Sequence, residues 1–132
     1  MTGLKYGRVK SRKEKRMPPK VFKKESEVPW TPHDRVKNAQ LKLLYTKEKD
    51  GSPITVVIVH LEKGVTLPDH RHPEQPDLIY PLKGKATMFI EGEPEFPLEP
   101  GMVVQVPVNV LHAIRNVEED FYMYNVWAPA SR

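Results

Sequence analysis

Short runs of β-branched and aromatic residues, separated by turn-forming residues, recur along most of the chain. The clearest run is 54–61, Ile-Thr-Val-Val-Ile-Val-His-Leu, which is apolar on both faces of an extended chain and typical of a strand inside a sandwich or barrel. Residues 36–46 fit either a helix or a strand, and a strand is favoured because apolar side chains alternate there, at Leu41, Leu43 and Tyr45. Asp50-Gly51 is a strong turn signal, so we predict that 40–47 and 54–61 form a hairpin.

The second half of the chain continues this pattern of short strands and turns. The predicted strands there are 78–82, 85–91, 95–98, 102–106, 110–117 and 121–128. We expect the first two to pair across Lys83-Gly84, and a turn at Glu118-Glu-Asp120 to separate the last two. Strands of this length with a turn roughly every ten residues predict an all-β antiparallel barrel or jelly roll, and no segment carries a convincing helix signal.

Composition narrows the class of protein without naming an activity. The chain has 132 residues, enough for one domain with a single core. It has no cysteine, which excludes disulfides, iron–sulfur clusters and thiolate zinc sites and fits a reducing compartment, so we expect a cytoplasmic protein. No apolar run approaches the roughly 20 residues that a membrane-spanning helix needs.

The positive charge is concentrated at the N-terminus. Residues 1–24 hold ten Lys and Arg side chains against one acidic residue, Glu14, whereas the rest of the chain is net acidic. We therefore predict a flexible basic arm, 1–27, and a single domain, 28–132. The arm is a solvated tail by default. The alternatives are docking on acidic surface of its own dimer, at Glu91, Glu93, Glu95 and Glu99, or binding of nucleic acid through residues 1–24.

Three histidines and one aspartate have the spacing of a metal site. His70 and His72 are two residues apart in an extended setting, which places both imidazoles on one face of a strand. Asp77 follows a proline-rich bend, and His112 lies in a later predicted strand. Three imidazoles and a carboxylate suit a divalent transition metal. The rivals of Asp77 as the fourth ligand are Glu74 and Gln75, whereas His33 and His60 have no ligand-like neighbour in the sequence.

The same segment resembles the first motif of the cupin superfamily. That motif is a glycine, five residues, His-x-His, three or four residues, a glutamate, six residues and a second glycine. The chain matches it with Asp in place of Glu, at Gly64, His70, His72, Asp77 and Gly84.

A second cupin motif follows forty residues later. It is a glycine, five residues, Pro-x-Gly, two residues, a histidine, three residues and an asparagine. The chain matches it at Gly101, Pro107, Asn109, His112 and Asn116. Asn109 stands where the motif has glycine, and asparagine tolerates the positive φ that such a turn requires.

The resemblance covers about residues 40–128 and implies a β-barrel, usually homodimeric, with a metal in one mouth. It supports His70, His72, Asp77 and His112 as ligands of one divalent ion, which is manganese, iron, nickel, cobalt or zinc. By family frequency it implies a metalloenzyme acting on a small molecule, with dioxygenase-type oxidation favoured and an isomerase or lyase next. A non-catalytic small-molecule or metal-binding module, with the arm on nucleic acid, and a storage protein without turnover are the other interpretations.

Several side chains on the predicted strands are candidates to line a substrate cavity. Those we select are Tyr80, Met88, Gln105 and Tyr124, and strands that are apolar on both faces leave the inward face undecided. In an extended strand Asn116 lies on the same face as His112, so we expect it to cap a turn or to hydrogen-bond to a metal ligand. Arg115 lies on the opposite face, and we expect it to point outward.

Overall fold

The computed structural model describes residues 21–132, and all of its long elements are strands. The eight strands are β1 Trp30–Pro32, β2 Ala39–Tyr45, β3 Thr55–Leu61, β4 Leu67–His70, β5 Asp77–Ile90, β6 Phe96–Leu98, β7 Val104–Val106 and β8 His112–Trp127. They form one antiparallel network, in which β1-β2-β3-β8-β5-β6 are neighbours, β4 pairs with β8, and β7 pairs with β5. The predicted all-β architecture is confirmed.

The predicted hairpin is present, and a single helical turn closes it. β2 and β3 pair in antiparallel register, with Leu41 opposite Val59. Between them lies α1, Lys47–Asp50, which the sequence did not signal. The hydroxyl of Thr46 accepts a hydrogen bond from the amide of Lys49, and Gly51 ends the turn in the left-handed conformation at φ 65°.

The two longest strands, β5 and β8, run side by side over nearly their whole length. The first half of β5 pairs with the last half of β8, and the second half of β5 pairs with the first half of β8. The prediction of separate strands at 78–82 and 85–91, paired across Lys83-Gly84, is therefore wrong. The predicted break at 118–120 is also wrong, because β8 continues through it.

The glycine that suggested a turn instead lies at a bend between these strands. Gly84 has φ 94°, and a Cβ atom built on it would lie 2.3 Å from the carbonyl oxygen of Asp120. Three shifts of register between β5 and β8 occur in this region. Glycine is needed here because the backbones of two bent strands approach too closely for any side chain.

The core fills the space enclosed by the strands. The largest fully buried apolar side chains are Phe121, Leu61, Ile79, Met88, Leu98, Ile114 and Met123. They come from β3, β5, β6 and β8, so the two long strands supply most of the interior. Within residues 21–132, no helix reaches the length and apolarity that a membrane span requires.

The described end of the basic arm contacts the domain. The ammonium of Lys23 donates to the backbone oxygen of Leu44 at 2.6 Å and to Asp50 at 2.8 Å. Glu25 belongs to a 3-10 turn and forms an ion pair with Lys42 of β2. The domain boundary at residue 28 stays a prediction, and the predicted roles of residues 1–20 lie outside the described residues.

Candidate metal centre

The four residues predicted as metal ligands lie together, where β4 ends and β5 and β8 begin. His70 ends β4, His72 follows it, Asp77 begins β5 and His112 begins β8. One potential ligand atom from each residue lies within 4.8 Å of those of the other three. Strand pairing explains the convergence, because His70 and His112 are directly opposite each other and their ring centroids are 4.2 Å apart.

Loop contacts fix the position of His72, which lies just beyond β4 rather than within a strand. Its backbone oxygen accepts a hydrogen bond from the amide of Asn109 at 2.8 Å. Asn109 has φ 64°, as the turn in the second motif predicts. Arg71 donates to the backbone oxygen of Asn109 at 3.1 Å, so two contacts tie the histidine loop to the loop before His112.

Backbone carbonyls set the tautomers of two imidazoles. The Nδ1 atom of His70 lies 2.8 Å from the oxygen of Pro68, and Nδ1 of His112 lies 2.9 Å from the oxygen of Val110. A carbonyl only accepts hydrogen bonds, so the network assigns the proton of each neutral ring to Nδ1. Each Nε2 atom is then left with a lone pair for a metal, a common arrangement of ligating histidines.

Asp77 turns one oxygen toward these lone pairs. Its Oδ2 atom lies 3.2 Å from Nε2 of His112 and 3.5 Å from Nε2 of His72. The Nε2 atom of His72 is buried and has no hydrogen-bond partner. Because a carboxylate also only accepts, the contact with His112 brings two electron pairs together unless a positive charge lies between them. A divalent cation would satisfy all of these atoms at once.

The surroundings keep the carboxylate charged and one imidazole neutral. Asp77 is buried, which alone would raise its pKa, but its contacts with the His112 and His72 rings and the hydrogen bond from Asn125 outweigh burial and lower it. Burial lowers the pKa of His70, with added repulsion from the other two rings. Both directions favour the protonation states that bind a metal.

Comparison with known proteins decides the family. The family model for the cupin domain matches residues 57–127, more than half of the chain. The chain belongs to the cupin family. A curated relative of this cupin, quercetin 2,3-dioxygenase from Bacillus subtilis (strain 168), is 38% identical over 69 residues, which are 52% of the chain. The match spans only 20% of the length of the dioxygenase.

Solved structures have the same fold at low sequence identity. KdgF from Halomonas sp. superposes with a TM-score of 0.70 at 23% identity, covering 83% of this cupin and 94% of that chain. Ectoine synthase from P. lautus superposes with a TM-score of 0.71 at 20% identity, covering 83% of this cupin and 78% of that chain. These likenesses establish the architecture.

Of the four predicted cavity residues, only Met88 lies in the interior. It is fully buried, whereas Tyr80 is 49% exposed. Tyr80 and Tyr124 are paired across β5 and β8, on the sheet face opposite to Asp77 and Asn125. Gln105 pairs with Leu78 and is also exposed on that outer face. The expectation that Tyr80, Gln105 and Tyr124 line the metal cavity does not hold, because their strands alternate and the cluster occupies the other face.

The remaining polar candidates differ in exposure and position. Glu74 is exposed, and Gln75 is buried two residues before Asp77. His60, which has no ligand-like neighbour in the sequence, lies on the outer face, where its ring stacks on Tyr122 at 4.3 Å between centroids.

The predictions for two neighbouring residues of the second motif have different outcomes. Arg115 points outward as predicted and binds Asp69 and Glu95. Asn116 is exposed with φ 50°, so it serves the backbone bend rather than a ligand.

Asn125 is a polar residue of the site that was not predicted from the sequence. It is 3% exposed, and its amide nitrogen donates to Oδ1 of Asp77 at 2.8 Å. Its amide oxygen and the indole nitrogen of Trp127 are buried without a partner. The Trp127 ring lies 5.6 Å from that of His72, so unpartnered polar atoms border the cluster. A polar side chain within the apolar run 121–128 was the signal that would have found it.

Proposed function

We propose that this cupin binds one divalent transition metal through His70, His72, Asp77 and His112. The contact that carries the proposal is the 3.2 Å approach of Asp77 Oδ2 to Nε2 of His112, whose own proton is held at Nδ1 by Val110. A cation among the four side chains would remove the repulsion between these two acceptor atoms, because both would coordinate it.

The donor set suits ions that accept more than four ligands. Four protein ligands leave open positions only on a five- or six-coordinate ion, which favours manganese, iron, nickel or cobalt for catalysis, with zinc as an adventitious occupant. Bound there, the ion would polarise a carbonyl or enolate oxygen of the substrate, or activate dioxygen.

We further propose that the site oxidises a small oxygen-bearing organic molecule in a dioxygenase-type reaction. The likeness to a quercetin dioxygenase over the motif region supports the reaction type. The unpartnered indole N–H of Trp127 and amide oxygen of Asn125 support the substrate class. Together they offer one donor and one acceptor, so a substrate carrying a carbonyl and a hydroxyl would satisfy both atoms.

Two experiments test the proposal in sequence. Elemental analysis of protein purified without added metal should find a transition metal near one equivalent, and His112→Ala should lose most of it. His60→Ala is the matched control, since it also removes an imidazole but from the outer face. Protein without stoichiometric metal, or His112→Ala that retains it, would contradict the metal centre.

Dioxygen uptake then separates the candidate activities. Protein loaded with iron or manganese should consume dioxygen with at least one member of a panel containing quercetin, a β-diketone and a catechol. Turnover without dioxygen uptake would favour an isomerase or lyase. Stoichiometric ligand binding without turnover would favour a non-catalytic module, and salt-sensitive DNA binding lost on deleting residues 1–24 would assign the arm to nucleic acid.

The homodimer stays part of the proposal and has support on the outer sheet face. Trp30 of β1 and Tyr80 of β5 are 40% and 49% exposed there and offer aromatic surface to a second copy. Light scattering should find a dimer that Tyr80→Lys dissociates, whereas a monomeric wild type would contradict it.

The cysteine-free sequence supports the cytoplasm as the compartment.

A further inference from the structure

Asn125 is a buried amide whose one observed hydrogen bond goes to a residue of the metal cluster. Its Nδ2 atom lies 2.8 Å from Oδ1 of Asp77, and the two side chains are 3% and 4% exposed. The carboxylate cannot donate, so the amide nitrogen rather than the oxygen faces it. With so little exposure, bulk water cannot replace this donor.

Strand register explains why this contact restricts the carboxylate. In the pairing of β5 with β8, Asn125 is opposite Ile79 and Asp77 is opposite Trp127, so Asp77 and Asn125 are diagonal neighbours on one face. Diagonal positions are roughly 7–8 Å apart, which two short side chains span only when they extend toward each other. The bond holds Oδ1 on the Asn125 side and leaves Oδ2 facing the imidazoles of His72 and His112.

We propose that Asn125 is a positioning residue that orients Asp77 so that Oδ2 alone points at the metal. The inference rests on the proposed metal centre. An aspartate in this motif position has one methylene fewer than glutamate, so its reach depends on an extended, fixed side chain. The Asn125 amide supplies that restraint and occupies the oxygen that would otherwise be free to chelate.

Cobalt(II) titration of the metal-stripped protein tests this role through affinity and visible absorption. Asn125→Leu keeps the branched shape but removes the donor, and we expect Co(II) to bind about 10- to 100-fold more weakly, the usual range for loss of an outer-shell partner. Asn125→Ala leaves room for a water that restores part of the bond, so its affinity should lie between those of Asn125→Leu and the wild type. The cobalt absorption bands should shift in both variants as the carboxylate changes its binding mode.

A double-mutant cycle shows whether Asn125 acts through Asp77. In an Asp77→Ala background the change of Asn125 to Ala should add nothing to the loss of Co(II) affinity. The control is Thr55→Val, which removes part-buried hydrogen bonds to Ser131 and Arg132, none of which involves a cluster residue. This control should lower the melting temperature and leave Co(II) affinity and absorption unchanged.

The outcomes separate this inference from the metal centre itself. If the wild type binds no Co(II), or Asp77→Ala binds it as tightly as the wild type, the proposed function fails. If the wild type binds, Asp77→Ala weakens binding and both Asn125 variants match the wild type in affinity and absorption, only the positioning role fails. An equal effect of Asn125→Ala with and without Asp77 would also overturn it.

Discussion

The bend at Gly84 gives a stability prediction that can be worked out from distances. In Gly84→Ala the new Cβ atom would lie 2.3 Å from the backbone oxygen of Asp120 and 2.9 Å from Cα of Phe121. Backbone atoms cannot rotate away, so β5 and β8 must separate. Holding alanine at φ 94° costs about 1–2 kcal/mol, and overpacking adds about 1–3 kcal/mol. We therefore expect the free energy of unfolding to fall by about 2–5 kcal/mol.

Gly92→Ala is a matched control for the conformational part of that penalty. Gly92 has φ 90°, nearly that of Gly84, but no atom lies within 4 Å of the position its Cβ would take. Its substitution should cost only the conformational share, about 1–2 kcal/mol. Urea denaturation of both metal-stripped variants measures the difference. Equal losses of stability would refute the close approach of the two long strands.

Two further predictions concern pH. Co(II) affinity should fall as the pH drops from 8 to 5.5, because all three imidazoles must be neutral to bind. The pKa of His70 is lowered from 6.5 by burial, so that ring stays neutral to a lower pH than an exposed imidazole, and an affinity independent of pH would contradict histidine ligation. At Asp50, burial would raise the pKa, but hydrogen bonds from Lys23 and the Thr46 amide lower it below 3.8. The stabilisation from that carboxylate is therefore present above about pH 4 and lost as the pH falls through the folded-state pKa. Asp50→Asn should lower stability at pH 6 more than at pH 3, measured by urea denaturation.

The sequence predicted most strands from local alternation, and it predicted the cluster from the spacing of two cupin motifs. The hairpin follows from alternation and the turn at Asp50-Gly51, and the candidate ligand set follows from the motif resemblance. The error at Lys83-Gly84 has a physical origin, because glycine with positive φ serves a tight turn and a close strand crossing equally well. Nothing in the neighbouring residues separates these two uses; only the partner backbone at Asp120 does.

The cavity residues were harder to predict because the inward-facing positions of β5 and β8 switch between odd- and even-numbered residues along each strand. In β5 the inward residues are odd-numbered at Asp77 and Ile79 but even-numbered at Met88. Register shifts between 81 and 87 account for the change, so counting alternate residues from Asp77 rejects Tyr80 correctly but also rejects Met88.

The same change of phase in β8 brings two residues of opposite parity to one site. His112 and Asn125 both contact Asp77, although an unbroken strand would point them to opposite faces. Asn116, at φ 50°, lies between them where the strand bends. The bend therefore does more than close the barrel. Because of the bend, β8 supplies a candidate metal ligand, His112, from its first residue and the amide of Asn125, which orients Asp77, from near its end. The motif covers only the start of the strand, which explains why it reveals His112 but not Asn125.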